Sequence, residues 1–471
     1  MDPFTAVGTW WLPERSEDRV GGTLNFERGT GGLRLRLIGS LNADPSVSTE
    51  LVRKYPIIFG ETIDGEPITL RDTRVISSHA ILQHLTEDGP KRLESHELDA
   101  EEAFYGAHLP LGAETPVRGV TIDLHLLDDW AWARQPFVEE MPTDDPWRRQ
   151  VLYRIPSPVE FEAFGGTARL GADLNWSSVG WHDESVKRPA HLFVEFNAPV
   201  QYRNISEDVV KPFQYFLTFA CGAPTHLKDL TIWVDGFGRQ MGDAWVPARI
   251  KTARRDAELV EEKRPHWWDL LLPLWSIEER IGEVFARWSD LLGHAESALD
   301  LFCGISLGPS QYLETRFLFA IQALEVYHRR CPWFTNKLMA TDEWRTRWNM
   351  LLAAAKESDA DLGQWVQERR SEFGNEPRLH DRLTELVTHG GEHAIRVLRT
   401  DFVYVATKTR HRLTHYDPSR KGADGVDLYW LAEEAMALME ACLLRDLGLT
   451  PEEIVEATSR TQRTRDLLSH R

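Results

Sequence analysis

The chain has 471 residues, 42% of them hydrophobic, and a formal net charge of -19. That length and composition exclude a single small domain and wholesale disorder. The charge excludes nucleic-acid binding over the whole surface, so a nucleic-acid partner must meet a local basic patch. Cys221, Cys303, Cys331 and Cys442 lie far apart without a C-x-x-C pair, which argues for reduced thiols in a cytoplasmic setting. The start, Met1-Asp2-Pro3-Phe4, lacks the segments of a signal peptide. The most apolar run, Trp267 to Trp275, is too short to span a bilayer and contains Asp269 and Pro273. No membrane is expected.

The first half reads as strands. Leu33, Leu35 and Leu37 alternate with Arg34 and Arg36, and Val120, Ile122, Leu124 and Leu126 alternate with Thr121, Asp123 and His125. Further strands are expected at Ile57 to Phe59, Leu192 to Phe196 and Leu230 to Val234. Asp64-Gly65 gives a hairpin turn, after which Pro67 predicts an edge or late-starting strand. Many short strands between glycine and proline turns predict an antiparallel, sandwich-like domain. Trp130, Trp132, Trp147, Trp176 and Trp181 lie near acidic residues such as Asp128 and Asp129, so a carbohydrate-active sandwich with a carboxylate pair is a rival reading.

Helical periodicity begins after Lys251, Arg254 and Arg255, a charged joint. Ile277, Ile281, Val284, Phe285 and Trp288 share a face. After Gly308-Pro309, Ser310 is a cap candidate for a helix with Leu313, Phe317, Ala320, Leu324 and Tyr327 on one stripe and Leu318, Ile321 and Glu325 on the next. A weaker helical segment runs from Trp344 to Arg370, and another helix starts near Arg378. His389-Gly390-Gly391 predicts a break before a helix carrying Phe402, Val405, Ala406, Thr409 and Leu413, which Asp417-Pro418 stops. The last strong helix has Leu428, Leu431, Ala435, Leu438 and Cys442 on one face. Thr450-Pro451-Glu452-Glu453 starts a short terminal helix with a capping box, and residues 460–471 read as a polar, fraying tail.

Chemistry concentrates in Thr409-Arg410-His411-Arg412-Leu413-Thr414-His415. Arginine offers a permanently charged fork for phosphate, and histidine exchanges a proton near neutral pH. Positions five apart lie about 140° apart on a straight helix, so Arg410 and His415 do not share a face, whereas His411 and His415 do. Either the helix distorts at Thr414 or two subunits pool their residues. Two other readings use the same residues: a basic helix end meeting its dipole, and a zinc pair of His411 and His415. Glu325 can equally serve a local pair with Arg329.

The spacing Arg410-x-x-x-x-His415, together with Arg316 to Glu325, resembles the ApeA-like branch of the HEPN ribonuclease superfamily. Gly8-Thr9-Trp10-Trp11-Leu12-Pro13, Gly22-Thr23-Leu24 and Phe59-Gly60 through Gly65-Glu66-Pro67-Ile68-Thr69-Leu70 resemble the N-terminal domain of ApeA-type proteins. His411 departs from the asparagine usual after the motif arginine. The resemblance implies an α+β multidomain protein: a β-rich sensing or regulatory domain over residues 1–262, a helical connector over 263–305, and an all-α HEPN bundle with its tail over 306–471. It also implies an endoribonuclease of anti-phage abortive infection, needing no cofactor or metal, acting on RNA such as tRNA, assembled as a homodimer or higher homo-oligomer, and answering a phage-derived trigger. Arg410, His415, His411 and Glu325 are then the catalytic set. Lys408, Arg412, Arg420 and Lys421 are the residues expected to hold the RNA backbone. A HEPN-shaped module that binds RNA or nucleotide without cutting it is the alternative, beside the carbohydrate-active sandwich.

Overall fold

A computed structural model describes residues 2–29, 31–41, 54–82, 92–132, 134, 138–141, 150–179, 183–241, 244–255, 264–307, 312–368, 374–415 and 422–470. Strands β1 (Phe4–Trp11), β2 (Val20–Glu27), β3 (Gly32–Ile38), β4 (Lys54–Thr62), β5 (Pro67–Leu82), β6 (Arg92–Ala100), β7 (Glu102–Tyr105) and β8 (Pro116–Leu124) precede helix α1 (Leu127–Trp132). There follow β9 (Val138–Met141), β10 (Gln150–Tyr153), β11 (Val159–Ala163), β12 (Gly166–Ala172), β13 (Asn175–Val179), β14 (Asp183–Lys187) and β15 (Ala190–Gln201). Helices α2 (Tyr202–Ile205) and α3 (Lys211–Cys221) lead to β16 (Leu227–Trp233), β17 (Gly238–Met241), β18 (Ala244–Pro247) and β19 (Ile250–Arg254).

Thirteen of these strands form one sheet in the order β11-β12-β15-β8-β16-β19-β7-β5-β4-β1-β2-β3-β6, and β5 also pairs with β6. That extra pairing closes β5, β4, β1, β2, β3 and β6 into a six-stranded barrel. The antiparallel, β-rich reading therefore holds, but the sheet is a barrel with an open extension instead of two facing sheets. The cause is the length of β5. Its first half pairs with β4 and β7, and from Arg74 onward it pairs with β6 through a ladder that carries a bulge between Val75 and Ser77. Glu101 separates β6 from β7, and there the sheet divides, β6 turning to β3 and β7 to β19.

Pro67 does start β5, yet the strand is interior to the sheet instead of an edge. The alternating leucines of β3 all point inward, where Leu33, Leu35 and Leu37 join Trp10, Leu24 and Ile58 in the barrel core. β8 ends at Leu124, so buried Leu126 lies in the turn beyond it, at φ 67°. Lys251 and Arg254, read as a joint, belong to β19, and the N–H of Arg255 donates to the Glu101 carbonyl at 2.9 Å. Trp130 is buried against Phe216, with ring centroids 5.9 Å apart, and Trp132 is buried as well. Trp176 is exposed, and Trp147 and Trp181 lie outside the described residues. Asp128 accepts from the Ala190 N–H at 2.5 Å, and Asp129 lies 3.6 Å from Arg264.

The helices of the second half are α4 (Ile281–Leu307), α5 (Leu313–Arg330), α6 (Thr341–Ser358), α7 (Ala360–Glu368), α8 (Leu379–Val397), α9 (Phe402–His415), α10 (Gly425–Asp446), α11 (Pro451–Ser459) and α12 (Gln462–His470). Among the described residues, no helix is long and apolar enough to cross a membrane. The chain divides into two compact units, residues 1–217, 225–267 and 273–282 in one and 218–224, 268–272 and 283–471 in the other.

In the helical unit α10 is buried on every side from Leu431 to Leu444, not on one face only. Its Glu433 meets Arg316 at 2.6 Å and Arg463 at 2.8 Å, Glu434 meets Arg399 at 2.9 Å, and Glu440 pairs with Arg463. Arg463 comes from α12, so the presumed fraying tail is an anchored helix with Thr464 and Leu467 buried. His389-Gly390-Gly391 interrupts the helix as expected: Gly391, at φ 66° and ψ -148°, is non-helical and divides α8 into two helical pieces that meet at a kink. The capping box at Thr450 and Glu453 forms as expected. α5 begins at Leu313, with Tyr312 at its N-terminal boundary. Ser310 lies outside the described residues. The four cysteines are buried, free thiols.

Two predictions follow from this packing. A Cβ on Gly60 would sit 2.3 Å from the buried Trp10 ring. Gly60→Ala should therefore cost about 1–3 kcal/mol through overpacking, read as a lower urea midpoint for the β-rich unit. The second concerns His393, 3% exposed, beside Thr458. The Thr458 hydroxyl donates to the Ile454 carbonyl at 2.6 Å, so it accepts from His393 Nδ1 at 2.8 Å. Nε2 is buried without a partner among the described residues. Burial, reinforced by Arg396, pushes the His393 pKa down to about 4. The unfolded chain then binds the proton more readily than the native one. Stability is full above about pH 6.5 and falls by about 3 kcal/mol as pH drops through 4. His393→Asn keeps a donor for Thr458 and should flatten that acid limb in urea titrations at pH 7, 5.5 and 4.5.

Candidate functional site

α9 owes its place to a narrow apolar stripe. Phe402, Ala406 and Thr409 are buried, while Val405 and Leu413 are half-buried. The helix packs on α5 and α8. Thr409 is fully buried, and its Oγ1 accepts from the Ala423 N–H at 2.9 Å. Arg412 Nη2 donates to the Ala423 carbonyl. A Cβ on Gly422 would lie 3.1 Å from Thr409 Cα and from Arg412 Nε. Residues 422–424 thus fold back onto the last turns of α9.

This arrangement leaves the motif on the outer side of the helix. Arg410 is half-exposed, and its Nη2 lies 3.7 Å from Oε2 of Glu325 on α5. The other oxygen of Glu325 accepts from Arg329 at 3.2 Å. One carboxylate thus faces both the local partner expected from its four-residue spacing and the motif arginine. A pair so placed, neither fully solvated nor dry, orients its arginine more than it stabilises the fold.

His411 and His415 touch one turn apart in a tilted ring contact, with centroids 4.5 Å apart and planes at 59°. α9 is helical through Thr414, whose hydroxyl donates to the Arg410 carbonyl at 2.8 Å. The expected distortion at Thr414 is therefore absent, and Arg410 and His415 keep the separation of about 140° that a regular helix imposes. No hydrogen bond or ion pair joins them among the described residues. Lys408 Nζ is 4.4 Å from the Tyr404 ring, leaving its charge at the exposed face. Arg420 and Lys421 lie outside the described residues, as does Asp417-Pro418. Among the described residues no group of three or more His, Cys, Asp or Glu side chains is placed to hold a metal ion.

Behind Glu325 lies a polar chain that sequence reasoning missed. Arg329 reaches Glu376 at 3.5 Å, and Glu376 meets Arg382 of α8 at 3.1 Å. Arg382 is 1% exposed. Only Glu325 and Arg329, one helical turn apart, carried a local signal. Glu376 sat in an apparent linker with Pro377, and Arg382 looked like an ordinary surface cation of an amphipathic helix.

Comparison with known proteins places the chain in a family. The model of ApeA N-terminal domain 1 matches residues 5–288, the whole barrel and its sheet extension included. The model of Apea-like HEPN matches residues 318–453, from the middle of α5 into α11. The second match takes in Glu325 and all of α9. No curated protein and no solved structure matches the chain. With the N-terminal match covering more than half its length and the HEPN match following it in order, this chain belongs to the ApeA-type HEPN family, a family of nucleases and defence proteins.

Proposed function

We propose that the helical unit is an endoribonuclease that cuts RNA, tRNA being one candidate, without a metal ion. The observation that carries this reading is the Arg410–Glu325 pair at 3.7 Å, with His411 and His415 in ring contact on the same turns of α9. In the reaction the ribose 2′-oxygen attacks the adjacent phosphorus and the bond from phosphorus to the 5′-oxygen breaks. The 2′-hydroxyl gives its proton to a base, and an acid returns one to the leaving 5′-oxygen. The products are a 2′,3′-cyclic phosphate and a 5′-hydroxyl.

An imidazole can both accept and donate a proton near neutral pH, and His415 takes that role. Arg410 binds the non-bridging oxygens as charge grows on them, held in direction by Glu325. His411 stands where the family usually carries asparagine and supports His415 by ring contact. Lys408, Arg412, Arg420 and Lys421 hold the RNA backbone without reading its sequence. The β-rich part, residues 1–262, senses a phage-derived trigger, residues 263–305 connect, and residues 306–471 cut, in a cytoplasmic abortive response.

Arg410→Ala and His415→Ala should each lower cleavage of total RNA in EDTA at least a hundredfold, on the scale of a lost oxyanion donor or general acid. Circular dichroism should be unchanged, because both side chains are solvent-facing. His411→Asn should cost less than tenfold on the same scale. RNA retained on a filter but not cut by the native protein would mean binding without catalysis. Cleavage by either alanine variant at the native rate would remove that residue from the reaction.

The regular helix at Thr414 favours sites shared between two copies, each supplying what the other's geometry withholds. Mixing Arg410→Ala and His415→Ala proteins under exchange conditions should restore up to about a quarter of native activity, the statistical share of intact composite sites among exchanged dimers. Undiminished activity of a monomer in analytical ultracentrifugation would refute the shared site.

A further inference from the structure

We propose that Arg382, buried in the helical unit, positions Arg410 through the alternating chain Glu376, Arg329 and Glu325. Its consequence for catalysis rests on the ribonuclease reading above, but the positioning itself does not.

The inner end of this chain is fixed. Arg382 donates Nε to the Pro377 carbonyl at 3.1 Å, Nη1 to Asn336 Oδ1 at 3.2 Å and Nη2 to Glu376 at 3.1 Å. Nη1 also lies 3.0 Å from Nδ1 of His328, a residue with no exposed surface. Arginine has no acceptor, so His328 Nδ1 must accept and Nε2 must carry the proton. That proton points to Glu385, 2.7 Å away. The imidazole is therefore neutral, and burial lowers its pKa against the opposing pull of Glu385. Four of the five N–H groups of Arg382 are thus directed at acceptors, and moving this buried guanidinium would leave polar atoms unmet.

From this anchor the charges alternate outward. Glu376 Oε2 is shared by Arg382 and Arg329, at 3.1 and 3.5 Å. Arg329 is shared by Glu376 and Glu325, and Glu325 by Arg329 and Arg410. The inner end is dry, with the side chain of Arg382 1% exposed, whereas the outer links are partly exposed, at 28% for Glu376, 42% for Arg329, 22% for Glu325 and 39% for Arg410. An isolated pair at 3.7 Å and 39% exposure would be soft, because water and rotamer freedom compete with it. Tying Glu325 back to a rigid arginine removes that freedom without placing any further group near the RNA. The chain also explains why Glu325 splits its two oxygens between Arg329 and Arg410.

The test uses the full chain and two partly exposed links, Glu376→Gln and Arg329→Gln, so that one decides if the other fails to fold. Each should lower kcat for RNA cleavage about tenfold with KM within about twofold, since neither touches substrate. Melting should stay close to native. In a Glu325→Gln background neither change should lower kcat further, because the path to Arg410 is already cut. A crystal structure of Glu376→Gln should show the Arg410 guanidinium displaced from Glu325 or spread over several rotamers. Additive losses in the Glu325→Gln background, or an Arg410 unmoved from Glu325 in the variant crystal, would overturn the proposal. If the native protein cuts no RNA, the ribonuclease reading fails, and the position of Arg410 in the crystals still decides the positioning chain.

Discussion

The helical unit is organised by three carboxylates on the stretch of α10, Leu431 to Leu444, that has no wet side. Glu433, Glu434 and Glu440 of α10 are each less than a tenth exposed. A buried carboxylate without a cation costs several kcal/mol, so each constrains which helix can lie beside it. Arg316 brings in α5, Arg399 brings in the turn before α9, and Arg463 brings in α12. Glu433 shows the balance. Burial alone would raise its pKa, but Arg463 and Arg316 together hold it below the ordinary value. Hydrophobic burial supplies the attraction between these helices, and the ion pairs select their register.

That register decides where the motif stands. Arg399 fixes the start of α9 through both its main-chain N–H and its side chain on Glu434. Arg316 sets the opposite end of α5, nine residues before Glu325 on the same helix. Two helices located independently on α10 therefore bring Glu325 and Arg410 together. Close contact between α8 and α10 is permitted by Gly390, where a Cβ would lie 3.1 Å from Leu438. The neighbouring Gly391, non-helical at φ 66°, separates the first helical piece of α8 from the second, which runs to Val397. The motif thus rests on a frame whose polar contacts lie in its interior, while its own chemistry faces outward.

The β-rich unit answers a different constraint. A strand that pairs on both sides must choose its neighbours, and the division of the sheet falls where β6 passes into β7. There Glu102, buried at 6% exposure, takes Arg71 at 2.7 Å and the Tyr202 hydroxyl at 3.1 Å. Arg255 follows β19 and closes on Asp99 at 3.2 Å and Glu101 at 3.0 Å. One half of the sheet rolls into a barrel around Trp10, and the other stays open.

Local patterns were sufficient for the parts whose physics is local. The leucines of β3, the Asp64-Gly65 turn, the capping box at Thr450 and the stripe of α5 could be read from spacing because side-chain direction repeats every two or 3.6 residues. The motif on α9 was legible too, as were both partners of Glu325, one by its four-residue spacing and one by family resemblance. What spacing could not carry was pairing between distant segments. Barrel closure depends on β5 meeting β6 across a bulge, and α10 reads as amphipathic although its polar positions are buried against arginines up to 117 residues away. The interruption at Gly391 was legible from the glycine pair, whereas the direction in which the chain continues was not. Arg382, Glu376 and His328 look unremarkable in the sequence. Only the tertiary structure makes them one chain, because an ion pair is defined by distance in space, and the apolar packing of α5 on α8 sets that distance.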